Sequence, residues 1–313
     1  MSIFRCRPAV KDYIWGGDRL KREWNIETSL DKAAEAWVLS CHPDGSCVID
    51  GGEFDGRTLA DVIHILGREV LGTDAADCDD LPILVKLIDA RDDLSIQVHP
   101  DDDYAMEHEH QRGKTEAWYI LDALPGSVLY HGFQRDVSRE EFERRIREGT
   151  LLEILNRVSV KRGDVFFISP GTLHAIGGGI LLAEIQQSSN VTYRIYDYDR
   201  RDAFGNRREL HVDKALDVTQ RKRPETAVSG EHIAQCDFFT VDRASCKESG
   251  GMVTGVTDNS SFTGILVTDG EGVLALKSGT EAFACRKGDS FFVTAGSGEW
   301  TIGGSAEFLI TRV

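Results

Sequence analysis

Along most of the chain, apolar and polar residues alternate over short runs that stop at Gly, Pro or Asp. AEAWVLSCH (34–42), PILVKLIDA (82–90), LSIQVH (94–99), EAWYIL (116–121), GSVLYHG (126–132) and DVFFIS (164–169) are of this kind, and ILLAEIQQ and VTYRIYDY continue it. Their β-branched and aromatic content predicts strands. After a charged, polar bridge from 220 to 230 the pattern resumes as DFFTVDRA, FTGILVTDG, EGVLALKSG, DSFFVTAG, EWTIGG and EFLITRV. Helical spacing is confined to the first part. RTLADVIHILGREVLG offers Thr58 as N-cap, with Gly67 or Gly72 as stop. VSREEFERRIREG opens on Ser138 and Glu141, a capping pair, with Val137 placed to staple onto Phe142 and Gly149 as the end. Thr150 and Glu153 are read as starting one more helix, TLLEIL, and DDDYAMEHEH as a short helical turn. The pattern predicts a mainly β protein with two related β-barrels, the first decorated with helices, and a boundary near residue 225.

One unit occurs twice. KRGDVFFISPGTLHAIGGG (161–179) aligns without a gap on RKGDSFFVTAGSGEWTIGG (286–304), about 125 residues later. His174 in the first copy corresponds to Glu299 in the second, so only one copy keeps the imidazole.

Composition narrows the partners. The chain of 313 residues has 36 Lys and Arg against 52 Asp and Glu, a net charge of -16. That excess works against a nucleic-acid or anionic-membrane partner. A phosphorylated metabolite is still compatible if a few cations converge in one pocket. Seven cysteines, at 6, 41, 47, 78, 236, 246 and 285, form no CxxC pair, which predicts reduced thiols and a cytoplasmic protein. The opening MSIFRCRPAVKDYIWGG has no long apolar run, so no secretory leader is expected. No protein partner is implied.

Strand parity gathers the candidate chemistry. Residues two apart in a strand share a face. Ser95, Gln97 and His99 therefore point one way and Ile96 and Val98 the other. By the same rule Lys114, Glu116 and Trp118 share a face, as do Thr172, His174 and Ile176. Convergence of His99, Glu116 and His174, with Gln97 beside them, would make a divalent metal site with a position open to substrate. The same donors would also serve iron. Glu184 and Gln186 share a strand face, and Arg194 interrupts the next apolar run. Arg200 and Arg201 follow; anion binding and a solvated turn are both open for them. His108 and His110 read as an exposed helix end, and the other histidines and the cysteines as structural.

PILVKLIDARDDLSIQVHPDDDYA, GKTEAWYIL, GDVFFISPGTLHAIGGGILLAEIQQSSNVTYRIYDYDR and AEAWVLSCHPDG together resemble type I phosphomannose isomerase in its short bacterial form, over essentially the whole chain. The resemblance implies two cupin-like, jelly-roll barrels: a metal-binding domain at 1–225 with helical insertions, and a degenerate cupin at 226–313 that binds no metal. It implies one zinc per chain, held by Gln97, His99, Glu116 and His174. Arg194, Lys114 and Glu184 take the catalytic positions. Ser95, Lys86 and Arg200 are the phosphate-binding candidates, although Lys86 also reads as a solvated charge at a barrel mouth.

The implied reaction interconverts D-mannose 6-phosphate and D-fructose 6-phosphate through an enediol. Proton transfer needs a base within reach; Glu184 and Lys114 are candidates, and a metal-bound hydroxide is a third. An iron-dependent cupin dioxygenase and a non-catalytic sugar-phosphate-binding cupin are the alternatives.

Overall fold

The computed structural model describes residues 2–202, 204–224, 232–279 and 282–313. The boundary expected near 225 lies outside the described residues. The protein is mainly β, with short helices between strands. No helix among the described residues is long and apolar enough to cross a membrane.

Two compact units divide the chain, and neither is continuous in sequence. One comprises Met1–Asp12, Asp18–Leu87 and Ser229–Val313; the other comprises Tyr13–Gly17 and Ile88–Val228. This differs from the linear division at 225: residues 18–87 belong with the C-terminal strands. The cause is pairing between distant segments. Ile3–Arg7 pairs antiparallel with Ser290–Val293. The backbone at 71–74 exchanges hydrogen bonds with 259–262, Thr73 N to Asn259 O at 3.0 Å and Phe262 N to Leu71 O at 3.1 Å.

The unit containing the C-terminal strands has a seven-stranded and a four-stranded antiparallel sheet. Ile265, Val267, Phe291 and Phe308 from the first and Leu274, Trp300 and Ile302 from the second make one buried core.

In the other unit, a five-stranded sheet runs in the order Tyr193–Tyr196, Ile96–Val98, His174–Ile176, Val128–Phe133, Leu155–Ser159. Beside it, Glu116–Ala123 is paired on one side with Val165–Ile168 and on the other with Ile180–Gln187. Alternation decides what each face of the five-stranded sheet meets. Ile96, Val98, Ala175, Tyr193 and Ile195 pack in one cluster with Phe142, Ala215 and Leu216, so helices Arg139–Arg147 and Val212–Val218 cover that face. Gln97, His174 and Arg194, the residues between, are left on the opposite face.

The helix starts follow their caps in three cases. Thr58 accepts from Asp61 N, Asp101 from Tyr104 N and Ser138 from Glu141 N. Thr150 makes no side-chain cap, and Leu151–Ile154 is a 3-10 turn rather than a new helix. Arg19–Glu23 and Val212–Val218 are helices that the hydrophobic pattern does not mark.

The repeat is visible as structure in both units. Asp164 accepts from Lys161 N at 2.9 Å and Asp289 from Arg286 N at 3.0 Å, and Gly163 and Gly288 carry φ of 89° and 95°. Left-handed backbone at that turn explains the Gly in each copy.

Candidate active site

Cross-strand register lines up one row of polar residues on the open face of the five-stranded sheet. Arg194 stands opposite Gln97, Gln97 opposite His174, and His174 opposite His131. On the neighbouring strands Glu116 stands opposite Gln186 and Trp118 opposite Glu184.

These two sets meet at His99, Glu116 and His174. Nε2 of His174 is 3.4 Å from Oε1 of Glu116, and Nε2 of His99 is 3.7 Å from Oε2. The imidazole centroids are 4.8 Å apart. All three residues are buried, at 1%, 0% and 0% exposure. Among the described residues they form a group whose donor atoms all lie within 4.8 Å of one another.

Both imidazoles are oriented by their other nitrogen. Nδ1 of His99 donates to Val191 O at 2.8 Å, and Nδ1 of His174 donates to Thr172 O at 2.9 Å. Each Nε2 is thereby left with its lone pair directed at the cluster. Burial holds the His174 imidazole neutral, its pKa driven down to about 3. Gln97 completes the group. Its Nε2 lies 3.3 Å from His174 Nε2, and its Oε1 lies 3.4 Å from Ser95 Oγ. Half a turn of the amide would exchange its oxygen and nitrogen.

Lys114 is brought to the same place. Its Nζ is 2.6 Å from Glu116 Oε2, 3.5 Å from Glu184 Oε1 and 3.3 Å from His99 Nε2. Trp118 Nε1 donates to Glu184 Oε2 at 3.0 Å, which orients that carboxylate. Two imidazoles and two carboxylates are thus gathered in one buried cluster, where a divalent cation would offset the cost of burying acidic groups. The donor set fits such an ion: two imidazole lone pairs, a carboxylate and an amide.

Arg194 lies at the end of the row. Its Nε donates to Ser95 Oγ at 3.3 Å and its Nη1 to Glu209 O at 3.0 Å. Burial, then the field of Arg208, lowers its pKa. Ser95 thus touches both Gln97 and Arg194. Arg200 is half-buried and bonded to Asp197, whereas Arg201 is exposed and bonded to Gly205 O. Lys86 belongs to the other unit, where it is buried with Nζ 4.0 Å from Glu35 Oε2 and 5.0 Å from the Trp37 ring centre. It is therefore not a solvated charge. His108 and His110 are exposed on and just beyond helix Asp102–Glu109.

A buried glutamine that sequence parity passes over ties three motifs together. Gln187 accepts from Thr115 N at 2.8 Å and donates to Asp102 Oδ1 at 3.0 Å. The same Asp102 oxygen accepts from Gly113 N at 2.7 Å, and Ser189 Oγ donates to Arg112 O at 2.8 Å. A side chain at Gly113 would put its Cβ 2.4 Å from the Asp101 carbonyl carbon, so only Gly allows this approach. The network holds the segment carrying Lys114 and Glu116.

In the second copy of the repeat, Glu299 is ion-paired with Lys277 at 2.8 Å.

Fold and site together define a mainly β protein with a buried two-imidazole, one-carboxylate centre suited to a divalent cation. Comparison with known proteins is consistent with this. Residues 3–121 match phosphomannose isomerase type I, catalytic domain, and residues 229–313 match mannose-6-phosphate isomerase, cupin domain. The mannose-6-phosphate isomerase of Streptococcus mutans serotype c is 35% identical, covering 96% of this chain and 94% of its own. The crystal structure of the Bacillus subtilis mannose 6-phosphate isomerase superposes with a TM-score of 0.91 at 32% identity, covering 100% of both chains. A zinc-bound mannose 6-phosphate isomerase superposes with a TM-score of 0.78 at 16% identity, covering 99% of both chains, which is a likeness of fold. The chain belongs to the type I phosphomannose isomerase family.

Proposed function

We propose that the protein is a zinc-dependent aldose–ketose isomerase that interconverts D-mannose 6-phosphate and D-fructose 6-phosphate through an enediol. The observation that carries this reading is the buried cluster of His99, Glu116 and His174 with Lys114 and Glu184 in contact with it, in a chain of this family.

In this reading Gln97, His99, Glu116 and His174 hold one zinc ion per chain. The zinc-bound relative of the same fold supports that choice of metal. When bound, the ion supplies Lewis-acid stabilisation to the sugar oxygens. The chain's own groups do the rest. Converting the aldose moves a proton from C2 to C1 and leaves negative charge on oxygen in between. Lys114 touches two carboxylates and is a hydrogen-bond donor, so the acceptor role for the C2 proton falls to Glu184, its second oxygen anchored by Trp118. Arg194 places a fixed positive charge where the enediol's oxyanion develops. Ser95 and Arg200 hold the phosphate and so orient the sugar.

The architecture in this reading is a pair of cupin-like jelly rolls, one that binds the metal and a degenerate one that binds none. The protein works in the cytoplasm on a free sugar phosphate. A coupled isomerase assay on mannose 6-phosphate, with metal analysis of the same preparation, tests the proposal. Turnover that tracks zinc content is the expected result. Sugar-phosphate binding without isomerisation, or oxygen uptake with iron bound, would overturn it.

A further inference from the structure

The turn after Tyr193–Tyr196 is built around one carboxylate. Asp197, 6% exposed, accepts Nε and Nη2 of Arg208 at 2.7 and 2.6 Å, a two-pronged pairing. It also accepts Nε of Arg200 at 3.1 Å, and Arg200 Nη2 contacts the same oxygen. Between Asp197 and Arg200 the backbone of Tyr198 and Asp199 is left-handed, with φ of 55° at each. For an aromatic residue this is strained, and strain of this kind persists where the surroundings enforce it. Here it returns Arg200 to Asp197 and over the Tyr198 ring, 5.2 Å from its centre. Arg200 also donates to Asp93 O. Two guanidinia thus share one buried carboxylate. One positive charge is left over beside Arg194, itself bonded to Ser95.

We propose that Asp197 and Arg208 are positioning residues for phosphate recognition, holding Arg200 in the orientation that favours a phosphorylated over a neutral sugar. The proposal rests on the isomerase reading above. Arg208 has no other assigned task, and its fork geometry is one a lysine cannot reproduce.

The test compares Arg208→Gln, Arg208→Lys and Asp197→Asn with the unmodified zinc enzyme. KM for mannose 6-phosphate is expected to rise about tenfold or more, the size of one lost charge-assisted hydrogen bond, and far more than kcat falls. The inhibition constant of inorganic phosphate should rise in parallel, and Arg208→Lys should lie between wild type and Arg208→Gln. Unphosphorylated mannose, assayed at high concentration, should show no matching loss. Variants that are folded at the assay temperature, with normal zinc content, and that keep wild-type KM and phosphate inhibition would overturn the proposal. So would a fall in kcat at constant KM, or an equal loss with mannose. Should Arg208→Gln not fold, Arg208→Lys gives the same readings. An unmodified enzyme inactive on mannose 6-phosphate would instead defeat the isomerase reading.

Discussion

Nε2 of His174 sits 3.4 Å from Oε1 of Glu116, although one side chain comes from the strand His174–Ile176 of the five-stranded sheet and the other from Glu116–Ala123 beside it. Replacing His174 or Glu116 by Ala is expected to lower both bound metal and isomerase activity by more than about a hundredfold, since even the outer supports of such ligands are worth about tenfold to a hundredfold. Metal analysis beside the coupled assay reads both. Full turnover after exhaustive chelation would remove the metal from the mechanism.

Arg194 has its guanidinium on Ser95 and on the Glu209 carbonyl. Arg194→Ala should therefore retain zinc while kcat falls about a hundredfold or more, the usual cost of removing a charge aimed at a developing oxyanion. Zinc loss in that variant would reassign the residue to the metal site.

Much of this was legible in the sequence because a strand has a period of two. Ile96 and Val98 turn toward the helices, so Gln97 must turn away from them, and the same rule places His174 and Arg194 in its row. What stayed hidden has identifiable causes. Pairing of Ile3–Arg7 with Ser290–Val293 leaves no local pattern, so a linear boundary was the natural reading. Helix Val212–Val218 is short, and His211 before it makes no side-chain cap. Gln187 escapes the parity rule because both Gln186 and Gln187 are buried, on opposite faces of one strand. Arg208 is distant from the motif it serves, and only the folded turn brings it to Asp197.

Gln187 bonds to both Thr115 N and Asp102, so its loss frees the segment carrying two site residues without touching the metal position. Gln187→Ala is expected to weaken zinc binding about tenfold to a hundredfold, by the precedent of outer-layer hydrogen bonds. Competition with a chelator of known affinity measures it. Unchanged affinity together with unchanged turnover would reduce Gln187 to a packing role.

Glu299 occupies the repeat position of His174 but is paired with Lys277 on a half-exposed surface. Glu299→Ala should leave zinc stoichiometry and kcat at wild-type values. Its effect on stability should stay within about 1 kcal/mol, as for most surface ion pairs. A lower zinc content in this variant would show that the second copy still binds metal.

Asp197 gives the expected pH dependence its sign. Burial raises the pKa of its carboxyl, but hydrogen bonds from Arg208 and Arg200 together outweigh burial and hold it below the ordinary 3.8. A carboxyl depressed on folding adds stability that is fully present above the unfolded-state value and is lost as pH falls through the folded one. The contribution therefore operates at neutral pH and begins to be lost below about pH 3.8, where the unfolded chain takes up the proton first. Asp197→Asn should lower the melting temperature at pH 7. It should also flatten the acid limb of the stability curve, so that mutant and wild type converge toward pH 3. Thermal melts of the two proteins from pH 7 to pH 3 measure this. A constant difference across that range would mean that the Asp197 contribution is steric and not ionic.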